Sequence, residues 1–139
     1  MDGARSPELA ATGSFPADPL AQICGELAAA FRRKWGRGPA KTSAHWAGPN
    51  MLVVLLYDGH TEQEKTLRAA GEIQQLLAGR HALQQILEDE LTAIVEIASG
   101  REVLTMLSAT RLDPDLSAEI FLLSQAPTTR RPVTLERVH

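Results

Sequence analysis

The chain has 139 residues, of which 44% are apolar and 22% charged, enough for one globular domain with its own core. A net charge of −3, from 17 acidic and 14 basic side chains, excludes a general attraction to nucleic acid or anionic lipid. A single cysteine, Cys24, excludes an internal disulfide and suits a reducing cytoplasm.

Residues 1–17 carry Pro7, Gly13 and Pro16 among Ala and Ser without periodicity, and are expected to form a flexible leader. They lack a basic stretch followed by an apolar one, so no secretory signal is expected. Asp18-Pro19 reads as a helix start, an acceptor before a proline whose fixed φ suits the first turn. Leu20, Ile23, Leu27, Phe31 and Trp35 then draw one apolar stripe, and Arg32, Arg33 and Lys34 complement the negative end of the helix dipole. Gly36-Arg37-Gly38-Pro39 must stop this helix, because Pro39 cannot continue it and pushes Gly38 out of the α region. Lys41 to Ala47 alternates, with Thr42, Ala44 and Trp46 on one face, and Trp35 and Trp46 are expected to pack together as core.

Gly48-Pro49-Asn50 turns the chain into Met51 to Tyr57, the longest unbroken apolar run and far too short to cross a bilayer. An all-apolar strand asks for cover on both faces, one from helices and the other from a second subunit. Thr61-Glu62-Gln63-Glu64 matches a capping box, and a helical pattern follows to Ala98. Its stripe runs through Leu67, Ala70, Ile73, Leu77, Leu83, Leu87, Leu91, Ile94 and Ala98, with Gly71 and Gly79 interrupting. The pattern fits either two helices meeting near Gly79 or one bent helix. Ser99-Gly100 is a stop. Glu102 to Thr110 and Ser117 to Leu123 read as strands joined at Asp113-Pro114-Asp115. Val103, Thr105, Leu107 and Ala109 fall on one face of the first, and Ala118, Ile120 and Leu122 on one face of the second. Residues 126–139, with Pro127, Pro132 and three arginines, read as a flexible tail in which Val133 and Leu135 leave room for a short added strand. The fold expected is α+β: one domain over 18–125, an antiparallel four-stranded sheet with helices packed on one face, in the order α-ββ-α(α)-ββ.

From Phe31 to Leu123 the chain resembles the MpsC-like family, named for a component of a bacterial Na⁺-translocating, membrane-potential-generating system. The segments that carry the resemblance are Gly36-Arg37-Gly38-Pro39, Met51 to Leu56, Thr61 to Leu67, Leu91 to Glu96, Gly100 to Val103, and Asp113 to Leu116 leading into Ile120 to Leu123. The resemblance implies a small cytoplasmic bacterial protein without established catalytic residues, associated with membrane ion or bicarbonate transport. It also marks Gly36, Gly38, Pro39, Thr61, Glu64, Glu96 and Asp115 as motif positions of unknown role.

The residues themselves assemble no active site. His45, His60, His81 and His139 show no zinc-type spacing, so no metal is expected. His45 is expected to be exposed and His60 to belong to the start of the helix at Thr61. Glu64 is explained by capping, Glu62 by the helix dipole and Glu88 to Glu90 by a solvated face, while Glu96 lies off the stripe without explanation. No Ser/His/Asp signature, Walker loop or dinucleotide fingerprint is present, and aromatics at 4% are too few for a base-stacking platform. The basic cluster Arg32, Arg33, Lys34, Arg37 and Lys41 either completes a helix C-terminus or receives an anion. Arg37 either pins its loop through backbone carbonyls or faces a ligand. The sequence is therefore read as a non-enzymatic accessory or regulatory protein without cofactor. It is expected to be a cytoplasmic homodimer with a possible membrane-protein partner, no nucleic acid and no direct membrane insertion. The alternative is a small-anion or phosphate-ligand sensing domain that binds near Arg37 and Lys41.

Overall fold

The structure, a computed structural model, describes residues 19–125. The leader and tail readings, together with Asp18, lie outside the described residues. The elements are α1 (Pro19–Trp35), β1 (Lys41–Trp46), β2 (Met51–Tyr57), α2 (Glu62–Ala69), α3 (Ile73–Ser99), β3 (Val103–Leu112) and β4 (Asp115–Leu123). The strands form one antiparallel sheet in the order β1-β2-β4-β3. Each hairpin contributes a neighbouring pair, and β2 joins β4 at the centre. The fold is α+β, as the periodicities indicate.

The helices lie on one side of this sheet. α1 packs on β1 and α3, and α3 continues onto β3. Ile23, Leu27, Ala30 and Phe31 of α1 are buried against Leu52, Val54 and Leu56 of β2, Leu87, Leu91 and Val95 of α3, and Phe121 and Leu123 of β4. Burying each of the larger side chains stabilises the fold by roughly 2 kcal/mol. Among the described residues the all-apolar β2 is fully buried on one face only: Leu52, Val54 and Leu56 are buried, while the alternating Met51, Val53, Leu55 and Tyr57 stay partly exposed.

Three expectations need correction. The helical stretch after Thr61 is two helices, but it breaks at 70–72 and not at Gly79, which lies inside α3. Gly71 supplies the left-handed turn at φ +79°, and the Glu72 N–H returns to the Leu67 carbonyl at 2.8 Å. Gly79 needs no such conformation, so the helix runs through it. Second, Val103 does not share a face with Thr105, Leu107 and Ala109. A register shift between Val103 and Thr105 leaves Val103 buried and turns the other three outward. Third, Trp35 and Trp46 do not pack together. They sit at opposite ends of β1: Trp35 stacks on Phe31 with ring centroids 5.5 Å apart, while Trp46 is 39% exposed beneath the Arg101 guanidinium.

Candidate functional site

The side of β4 that faces the helices is not uniformly apolar. Ser117 and Glu119 share that face with Phe121 and Leu123, all four buried. Opposite them, α3 carries Arg80 and Gln84 in line with Leu76, Leu87 and Leu91, so two polar side chains interrupt the buried stripe of the helix. Arg80 bonds to Ser117 and Gln84 to Glu119, and such pairing is the condition for keeping polar groups inside.

Arg80, 2% exposed, is the hub. Its Nε donates to Glu64 Oε2 at 3.1 Å and its Nη2 to Glu64 Oε1 at 3.0 Å, a two-pronged pairing that suits the planar guanidinium. Nη1 donates to Ser117 Oγ at 3.1 Å and to Asp115 Oδ1 at 3.4 Å. The guanidinium carbon lies 4.7 Å from the centre of the Trp35 ring. Glu64 thus serves twice. It closes the capping box, with Thr61 Oγ1 accepting from the Glu64 N–H and Glu64 Oε1 accepting from the Thr61 N–H, and it anchors Arg80. Asp115 Oδ2 accepts the His60 N–H at 3.0 Å and lies 2.6 Å from His60 Nδ1. His60 is therefore more than a residue ahead of a helix. It is buried, clasped to the β3–β4 turn by Asp115, and its Nε2 has no hydrogen-bond partner.

The network continues inward. Thr110 and Ser117 hydroxyls pair at 3.1 Å, and Gln84 Nε2 donates to Glu119 Oε2 at 2.8 Å, while the Ser108 hydroxyl donates to Glu119 Oε1. Glu119 is fully buried, and burial pushes its carboxyl up to about 7 from 4.5, against the opposing pull of Ser108, Gln84 and the Arg80 charge.

Above Arg80 opens a cleft of about 290 Å³, its mouth included, lined by Phe31, Trp35, Arg37, Pro39, Leu56, Gly59, Arg80, Asp115 and Ser117. Gly36 at φ +81° reverses the chain after α1, and a Cβ on Gly38 would sit 3.2 Å from the Ala28 carbonyl, so the loop that carries Arg37 to the lip packs closely against α1. Lys41 is elsewhere: it lies on the outer face of the sheet, its Nζ 5.3 Å from the Tyr57 ring centre, so Arg37 and Lys41 are not brought together. Of the other motif positions, Pro39 lines the cleft and approaches Gly59, while Glu96 is buried and accepts the Val103 N–H at 2.9 Å, tying the end of α3 to the start of β3. Arg33 pairs with Glu90, and His45 and His81 are exposed.

Glu64 and Asp115, distant in sequence, therefore meet around one buried arginine, with Thr61 held to Glu64 by the capping box. Residues 20–125 match the family described as Na⁺-translocating membrane potential-generating system (MpsC). The chain belongs to the MpsC family. No curated protein and no solved structure shows significant similarity to it. Among the described residues of this MpsC-family chain, no helix is long and apolar enough to cross a membrane, and no cluster of His, Cys, Asp and Glu has the arrangement to hold a metal ion.

Arg80, His60, Gln84, Ser117 and Glu119 are the site residues that sequence reasoning missed. A signal for two of them was present: the spacing Leu76, Arg80, Gln84, Leu87, Leu91 puts an arginine and a glutamine on the stripe meant for the core. Their partners on β4 were hidden, because either face of an isolated amphipathic strand can turn inward.

Proposed function

We propose that this chain is a non-enzymatic accessory protein of a bacterial Na⁺-translocating membrane-potential-generating system. It acts in the cytoplasm as a homodimer whose two copies meet through the uncovered face of the sheet. The observation that carries this reading is the chemistry of that face. Its central rows, in cross-strand register, are Val53–Ile120–Leu107 and Leu55–Ala118–Ala109, followed by Met51 beside Leu122. Leu107 is 56% exposed. These rows carry no charge, and the charged side chains Lys41 and Arg111 stand at one end of the face. An apolar centre with a polar margin is the composition of a contact surface.

Size favours a second copy as the occupant. Four strands spaced about 4.8 Å apart, seven residues long at about 3.4 Å each, give roughly 450 Å² per copy in projection, so a pair approaches the ~1,000 Å² at which interfaces become stable. The link to the transport system rests on family membership. The buried carboxylates support a structural reading of the polar cluster, since Glu64 and Asp115 are both committed to Arg80.

Light scattering coupled to size exclusion tests the dimer at micromolar concentration. The full chain is expected at twice its monomer mass, and Ile120→Glu and Leu107→Glu at the monomer mass with unchanged circular dichroism. A wild-type monomer, or dimers that persist in both variants, refutes the interface. Specific co-purification with a membrane component of that system tests the accessory role.

A further inference from the structure

We propose that the cleft between the Trp35–Pro39 loop, Gly59 and the floor at Arg80 binds a small carboxylate or oxyanion, with Arg37 as the capturing cation. This site lies on the helix side of the sheet and does not depend on the dimer.

Three observations converge on it. Arg37 lines the cleft, is exposed, and makes no hydrogen bond or ion pair with any described residue, so its five N–H groups all remain to be satisfied. It does not pin its loop through carbonyls; Gly36 and Gly38 fix the loop without its help. At the floor, Arg80 uses four N–H groups on Glu64, Asp115 and Ser117, which leaves one on Nη2 without an acceptor. A buried guanidinium with a spare donor, beneath a second guanidinium with none engaged, presents donors and asks for acceptors.

The remaining lining defines the class of ligand. Asp115 also borders the cleft, but its carboxylate oxygens are already engaged within the fold by the His60 N–H, the His60 ring and Arg80. Phe31, Trp35, Pro39 and Leu56 form apolar walls. The enclosed part of the cleft is only about 20 Å³, so it receives the anionic head alone, and a short apolar body would rest against the walls at the open mouth. Bulky nucleotides do not fit this description.

Thermal unfolding of the full chain tests the site, with sodium acetate, sodium butyrate or sodium phosphate titrated against sodium chloride at constant ionic strength. At least one of the three probes is expected to raise Tm by about 5 °C at tenfold excess over its dissociation constant, because a ligand held by the native state stabilises it by mass action. Butyrate above acetate identifies the apolar walls as part of the site, and phosphate above both identifies the oxyanion head alone. The rise should disappear in Arg37→Ala and survive in Lys34→Ala, which removes an exposed cation of the same basic stretch away from the cleft. Absence of any rise with all three probes overturns the proposal. So does a rise that Arg37→Ala retains, or one that both variants lose equally, which is the mark of diffuse screening.

Discussion

Replacement of Glu119 by glutamine should remove a pH dependence from the stability of this fold. The carboxyl is fully buried and shifts from 4.5 up to about 7, chiefly because the charged form has lost its water. Between those two pH values the native chain holds a proton that the unfolded chain has released. Stability therefore falls as pH rises through the window and levels off above about 7. At about 1.4 kcal/mol per pH unit, the window corresponds to about 3 kcal/mol. The amide introduced by Glu119→Gln fits the same contacts, with its oxygen accepting from Gln84 Nε2 and its NH₂ donating to the Ser108 hydroxyl. Urea unfolding of both proteins, followed by tryptophan fluorescence at about pH 4, 6 and 8, reads the difference, in which all other titrating groups cancel. The variant is expected to lie within about 1 kcal/mol of wild type at the acid end and to gain about 3 kcal/mol on it by the alkaline end. Parallel profiles across the range would falsify the assignment of a buried, reluctantly ionised carboxyl.

Arg80→Met should cost about 3–5 kcal/mol in the same urea assay, because it strands Glu64 and Asp115 in the interior without their cation. Thr61→Ala should cost about 1 kcal/mol by opening the capping box of α2, with the far-ultraviolet spectrum otherwise retained. The two glycines of the helical stretch should respond with opposite signs in thermal unfolding. Gly79→Ala should stabilise α3 by roughly 0.5–1 kcal/mol, since nothing lies within 4 Å of the added Cβ, whereas Gly71→Ala should destabilise by about 1 kcal/mol because its φ is +79°.

Much of the architecture is written in local chemistry. The stripe from Ile23 to Phe31 needs only its own spacing to define α1, and the Thr61–Glu64 box needs only four residues to start α2. Gly100 at φ +72° ends α3 where the sequence places a stop. The break at Gly71 was harder to read, because two glycines stood in one helical pattern and only the returning bonds from Gly71 and Glu72 distinguish them. The shift after Val103 is a property of pairing: it exists only once β3 lies against β4, and it turns Leu107 from core to surface.

Sequence by itself determined the order of helical and strand segments, the capping box of α2, the stops of α1 and α3, and the alternation of faces along β2 and β4, because each depends on neighbours a few residues apart. Tertiary structure alone decided which face of β4 turns inward, and so whether Ser117 and Glu119 or Ala118, Ile120 and Leu122 would be hidden. It chose the polar face because Arg80 and Gln84 on α3 arrive with the matching donors. A buried polar side chain is tolerable only beside its partner, and partners separated by more than thirty residues meet only in the folded chain.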